Sequence, residues 1–203
     1  SVADVEAAIA KLPIVKTDGT ETETTLLAAQ KEIKAAVALF DGLASSVQAT
    51  VKNAEILAKA NTALDAAALK LAQAEFAKIG DISAGITDAQ IAQFNHVAEL
   101  AKTFGLSTAD ISAHYAKIED AIKAKDEADL KAVIDGIKAL PATIAKKDVA
   151  TVTALQAAYN KLKPELQEKV ETKLVEKLKD AVAQADALSL EKAAVTVQNV
   201  TYT

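Results

Sequence analysis

An apolar pattern written twice constrains this chain more than any other feature. In its clearer copy, residues 130–188, Leu130, Val133, Ile137 and Leu140 recur at the spacing of one helix face. Asp126 reads as the N-cap of that helix, with Asp129 in its first turn, where the helix dipole favours a carboxylate. Pro141 ends it, because the residue before a proline is pushed out of the α region. A second stripe, Val152, Leu155, Tyr159 and Leu162, begins near Asp148. Pro164 fits the first turn of a third helix, where a missing N–H costs nothing. That helix carries Leu166, Val170, Leu174, Leu178, Val182, Ala185 and Leu188. Three stripes on short connections predict a small antiparallel bundle.

The first two stripes occur already at the start of the chain. Val2, Val5, Ile9, Leu12 and Pro13 match Leu130, Val133, Ile137, Leu140 and Pro141 at an offset of about 128 residues. Ile33, Ala36, Phe40, Leu43, Val47 and Val51 match Val152, Leu155, Tyr159, Leu162, Leu166 and Val170 at about 119. The difference, about nine residues, is the longer first connection, which holds Asp18-Gly19-Thr20-Glu21-Thr22-Glu23, and an insertion confined to a loop is what a duplicated unit should show. The match blurs after Val51.

Composition agrees with helices throughout. Hydrophobic residues make up 51% of the 203 residues, much of it alanine, and aromatics only 3%, so the core must come from close helix approach rather than bulky side chains. Every basic residue is lysine and the net charge is −5, which disfavours nucleic acid and anionic polymers, whose bidentate contacts favour arginine. No run of some 18 apolar residues exists, so no transmembrane segment is expected. Cysteine and methionine are absent, which suits an exported bacterial protein. A chain starting at Ser1 is expected to be processed or excised from a longer one.

The expected fold is all-α and elongated: two three-helix-bundle units linked by a long helix and a central helical hairpin, with a short β-like C-terminal tail. Residues 1–80 form the first unit. Ser1 with Asp4 opens a helix over Val2–Leu12, a second runs from about Thr22 to Leu43, and a third runs unbroken from Val47 to Ile79. Residues 81–126 form the hairpin. There Thr87 and Gln90 make a capping box before the stripe Ile91, Phe94, Val97, Ala101 and Phe104. Gly105 is a C′ residue, and Ser107 with Asp110 caps a helix bearing Ile111, Tyr115, Ile118 and Ile122. Residues 127–188 are the second three-helix unit. In 189–203, the stretch Ala194–Thr203 alternates Val and Thr without a helical period, as a linker or first strand of a following β-domain would.

The units follow V-x-x-I-x-x-L-P, a polar loop, then A-x-Y-x-x-L and a later Val. Val133, Ile137, Leu140, Pro141, Ala157, Tyr159, Leu162 and Val170 carry that pattern, with Phe40 replacing the tyrosine in the first copy. It resembles the helical spacer modules of Gram-positive cell-surface proteins, including S-layer proteins and others with S-layer-homology anchors. The resemblance covers about two-thirds of the chain and leaves the central hairpin outside. It implies a structural, non-enzymatic, exported domain of a surface-layer protein at the bacterial cell surface, acting as rigid spacer or self-assembly element. Its partners would be copies of the parent protein and neighbouring domains of the same chain. No S-layer-homology anchor motif is present. A helix-bundle adhesin recognising a host protein or a cell-wall glycan is the alternative, and an amphipathic lipid-surface protein a third reading.

Candidate sites are few. His96 and His114, the only histidines, fall on separate predicted helices without ligand spacing. The acidic clusters Asp18–Glu23 and Asp126-Glu127-Asp129 contain the oxygens calcium needs, but neither follows an EF-hand loop, and a solvated loop and a helix N-terminus account for them. Asn61 lies near an apolar helix face and either fixes register or faces solvent. Serines and threonines cluster at caps, and no glycine-rich phosphate loop occurs. No catalytic, cofactor-binding or metal residue is therefore assigned, and no cofactor is expected.

Overall fold

Ser1 opens the first helix by a capping box: its hydroxyl accepts the Asp4 N–H, while the Asp4 carboxylate accepts hydrogen bonds from the Ser1 ammonium and hydroxyl. From there the computed structural model describes the backbone of residues 1–198 and the side chains of residues 1–190. It is all-α: among the described residues there is no strand. Among the described residues no helix is long and apolar enough to cross a membrane. The chain divides into two units, Ser1–Glu119 and a second that begins at Asp120.

The first unit starts with α1 (Val2–Ile9) and α2 (Glu23–Asp41). The polar connection between them ends in a second capping box, Thr22 with Thr25. The short α3 (Ser45–Gln48) and the long α4 (Ala54–Ala77) follow. Val5, Ile9, Leu26, Ile33, Leu57 and Leu64 meet in one core, fringed by the buried alanines Ala29, Ala36, Ala67 and Ala68. Leu26 and Ile33 are wholly buried, each worth about 1.5–3 kcal/mol.

The third helix expected to run unbroken from Val47 to Ile79 is interrupted at Ala49–Asn53. Phase explains the break. Val51 and Leu57 are both buried, yet six residues put them about 120° apart on a continuous helix. Interrupting the helix resets the phase so that both face the core.

The α5 helix (Asp88–Phe104) then packs on α4 and sends Leu100 and Phe104 into the same core. Its start is capped by Thr87 with Gln90, and Gly105 ends it at φ 66°, a left-handed conformation suited to glycine. After α6 (Thr108–Ile111) comes α7 (Tyr115–Ala139), whose first residues belong to the first unit. Phe76, Phe94 and Tyr115 bring α4, α5 and α7 together, with ring centroids 4.7–6.5 Å apart. The stripe Ile111 to Ile122 is thus not one helix, as expected, but is broken after Ile111. Ser112 is extended and its hydroxyl accepts the His114 N–H, drawing that donor away from a helical bond. Ser107 precedes α6 without a side-chain cap bond, contrary to the expected pairing with Asp110.

In the second unit, α7 runs on without interruption, so Asp126 lies inside it and is not an N-cap. The alanines, lysines and glutamates around it are strong helix formers, and they override a cap signal that comes with no breaker. A 3₁₀ turn (Lys146–Asp148), α8 (Val149–Lys161), α9 (Pro164–Gln167) and α10 (Thr172–Gln198) follow. Val133, Ile137, Val152, Leu166, Val170 and Leu178 form its core. The single helix expected from Pro164 is split between Gln167 and Thr172, where Val170 turns inward with 5% exposure. The strand expected in the tail is also corrected. Residues 194–198 are the end of α10, and 199–203 lie outside the described residues. Val and Thr favour strands only where a neighbouring strand can pair with them, and here a long helix simply continues.

The two units break their third helix at matched places and stitch the corner with the same bond. Gln48 Nε2 donates to the Phe40 carbonyl at 3.1 Å, and Gln167 Nε2 to the Tyr159 carbonyl at 3.1 Å. Each bond adds a second donor to a carbonyl near a helix end, since Phe40 O already accepts the Leu43 N–H at 3.1 Å and Tyr159 O the Leu162 N–H at 3.2 Å. Beyond the corner Leu57, Ala60 and Leu64 match Leu178, Ala181 and Ala185 at about 121 residues, rather than about 119. Two extra residues between Val170 and Leu178, relative to Val51 and Leu57, explain why the sequence match fades after Val51.

Candidate functional site

Several polar side chains gather where α2, α4 and α5 meet. Glu75 of α4 accepts from Lys78 Nζ at 2.6 Å and from Gln93 Nε2 at 2.8 Å, and the same Gln93 amide donates to the Glu75 carbonyl at 2.9 Å. Those two donors hold the Glu75 carboxyl below the usual range. On α5, His96 Nε2 stands 3.5 Å from Glu23 Oε2 of α2, with 39% and 45% of the two side chains exposed. Gln30 of α2 adds a bond to the Thr103 carbonyl of α5 at 2.8 Å. These contacts join helices. The Glu75 carboxylate is shared between an ammonium and an amide, and no hydroxyl or thiol nucleophile is bonded within the group.

His114 lies apart from this group, exposed in the link between α6 and α7. In the Asp18–Glu23 cluster, Asp18 and Glu21 are bonded by neighbours in the sequence, while Glu23 faces His96. Asp18 Oδ1 accepts from the Thr20 N–H at 3.0 Å and the Thr20 hydroxyl at 2.5 Å. Glu21 accepts from the Lys16 N–H at 2.8 Å and the Thr25 hydroxyl at 2.5 Å. These bonds lower the pKa of both carboxyls. In the second acidic cluster, Asp126 accepts from Lys163, just before α9, at 2.5 Å and Asp129 from Lys125 at 2.6 Å, while Glu127 is exposed. Among the described residues no group of three or more His, Cys, Asp or Glu side chains is placed to hold a metal ion. Asn61 faces solvent.

Sequence reasoning passed over the amides that tie the elements together. Asn53 Nδ2 donates to the Glu6 carbonyl at 2.9 Å, and the Glu6 carboxylate accepts the Lys52 N–H at 2.9 Å, so α1 is fixed to the entrance of α4. The Asn53 Oδ1 is buried without a partner. Gln184 of α10 accepts the Ile144 N–H at 2.9 Å and donates to the Ala142 carbonyl at 3.3 Å, closing the loop after α7. One signal was available: an aromatic followed eight residues later by glutamine occurs at matched places, Phe40 with Gln48 and Tyr159 with Gln167.

A shallow, open groove of about 430 Å³ runs along the outer side of α4 beside Thr17, walled by Ala58, Ala63 and Ala66. The Glu55–Lys59 pair, 2.5 Å apart, stands on its rim. Its lining offers methyl groups, two threonine hydroxyls and one ion pair. No family model matches the chain, and comparison with characterised proteins and with solved structures finds no match either.

Proposed function

We propose that this chain is a non-enzymatic helical module of an exported bacterial surface-layer protein, serving as a rigid spacer or self-assembly element at the cell surface. The observation that carries the reading is the duplication. One plan of helix, loop, helix and stitched corner is used twice, with matched core residues and a matched glutamine-to-aromatic carbonyl bond. Repeating a unit extends a scaffold without requiring any reactive group. The polar side chains described above serve the same end, since they bond elements to one another. Copies of the parent protein and neighbouring domains of the same chain would be the partners.

Immunogold electron microscopy with antibodies against this chain tests the proposal on intact, unpermeabilised cells of the source organism. The expected result is regular labelling of the outer surface. Label confined to the cytoplasm of sectioned cells would overturn it.

Exposed apolar side chains favour a second reading, a helix-bundle module that binds a host protein or a wall glycan. Ile14 is 92% exposed in the loop after α1 and Ile56 is 51% exposed on α4. Binding of the purified protein to wall glycan or host matrix protein, lost in the double variant Ile14→Ser/Ile56→Ser, would support it. Recovery of self-association alone would count against it.

A further inference from the structure

We draw no further inference here: the strongest candidate, the open corner of the first unit where Leu39 and Val47 are exposed although the matched Leu166 of the second unit is buried, carries nothing because no feature of the structure shows what covers it.

Discussion

Gly136 of α7 tests the packing of the second unit most sharply. A Cβ built there would stand 2.7 Å from Leu155 Cδ1 of α8, so the leucine methyl must retreat by about 0.7 Å to reach the 3.4 Å of ordinary contact. Two effects oppose each other in Gly136→Ala. Alanine in a helix interior gains about 1 kcal/mol over glycine. Forcing extra volume into a packed contact costs about 1–3 kcal/mol. Leu155 is half-buried and free to give partway, so the expected net effect is a loss of about 1 kcal/mol. The first unit shows how the conflict is relieved. Its matched residues are Ala8 and Ala36, a small pair in place of Gly136 and Leu155. In a Leu155→Ala background, Gly136→Ala should therefore stabilise by about 1 kcal/mol, giving a coupling of about 2 kcal/mol between the two positions. Urea unfolding of the full chain, read by hydrogen exchange in peptides from α8, closes the double-mutant cycle. Equal effects of Gly136→Ala in both backgrounds, within about 0.5 kcal/mol, would refute the reasoning.

Three further outcomes are expected. Gln167 bonds the carbonyls of Tyr159 and Leu162, both at 3.1 Å, whereas Gln48 bonds that of Phe40. Gln167→Ala should therefore cost about 1–2 kcal/mol and Gln48→Ala about 1 kcal/mol, measured as shifts in urea midpoint of the corresponding unit. Asn53→Asp sets an acceptor against the Glu6 carbonyl and should cost about 1–3 kcal/mol, while Asn53→Ala, which also removes the unpaired Oδ1, should cost less. The Glu75 carboxyl titrates lower in the folded chain than in the unfolded one, through Lys78 and Gln93. Its stabilising contribution is thus present above the unfolded value of about 4.3 and is lost as pH falls through the folded value. Thermal melting of the first unit between pH 5 and pH 3 should lose part of its acid dependence in Glu75→Gln, and an unchanged profile would remove this assignment.

Helix beginnings were legible wherever a side chain bonds its own backbone, as at Ser1 with Asp4 and Thr87 with Gln90, and so was the glycine end at Gly105. The core positions Val5, Ile9, Ile33, Val133, Ile137 and Val152 were legible too, because burial follows the helical period. The breaks after Gln48, Ile111 and Gln167 were not. No proline or glycine marks them. The first arises where the buried Val51 is out of phase with the helix that follows it, and the second where the Ser112 hydroxyl takes a backbone donor, and those are consequences of packing and local hydrogen bonding rather than of propensity. In the second corner Leu166, Val170, Leu174 and Leu178 keep an unbroken four-residue spacing, so the pattern reads as one helix although the chain makes two. Among candidate site residues, the separate placing of His96 and His114 was visible in the sequence. The partners of Asp18, Glu21 and Asp126 were not, since loop geometry and the approach of α9 to α7 decide them.

Backbone chemical shifts through residues 45–57 and 164–176 of the assigned protein test the duplicated plan most directly. Two matched interruptions are predicted, at Ala49–Asn53 and at residues 168–171, each flanked by helical values. Helical shifts running without a gap through either stretch would contradict the claim that one broken-helix unit was used twice.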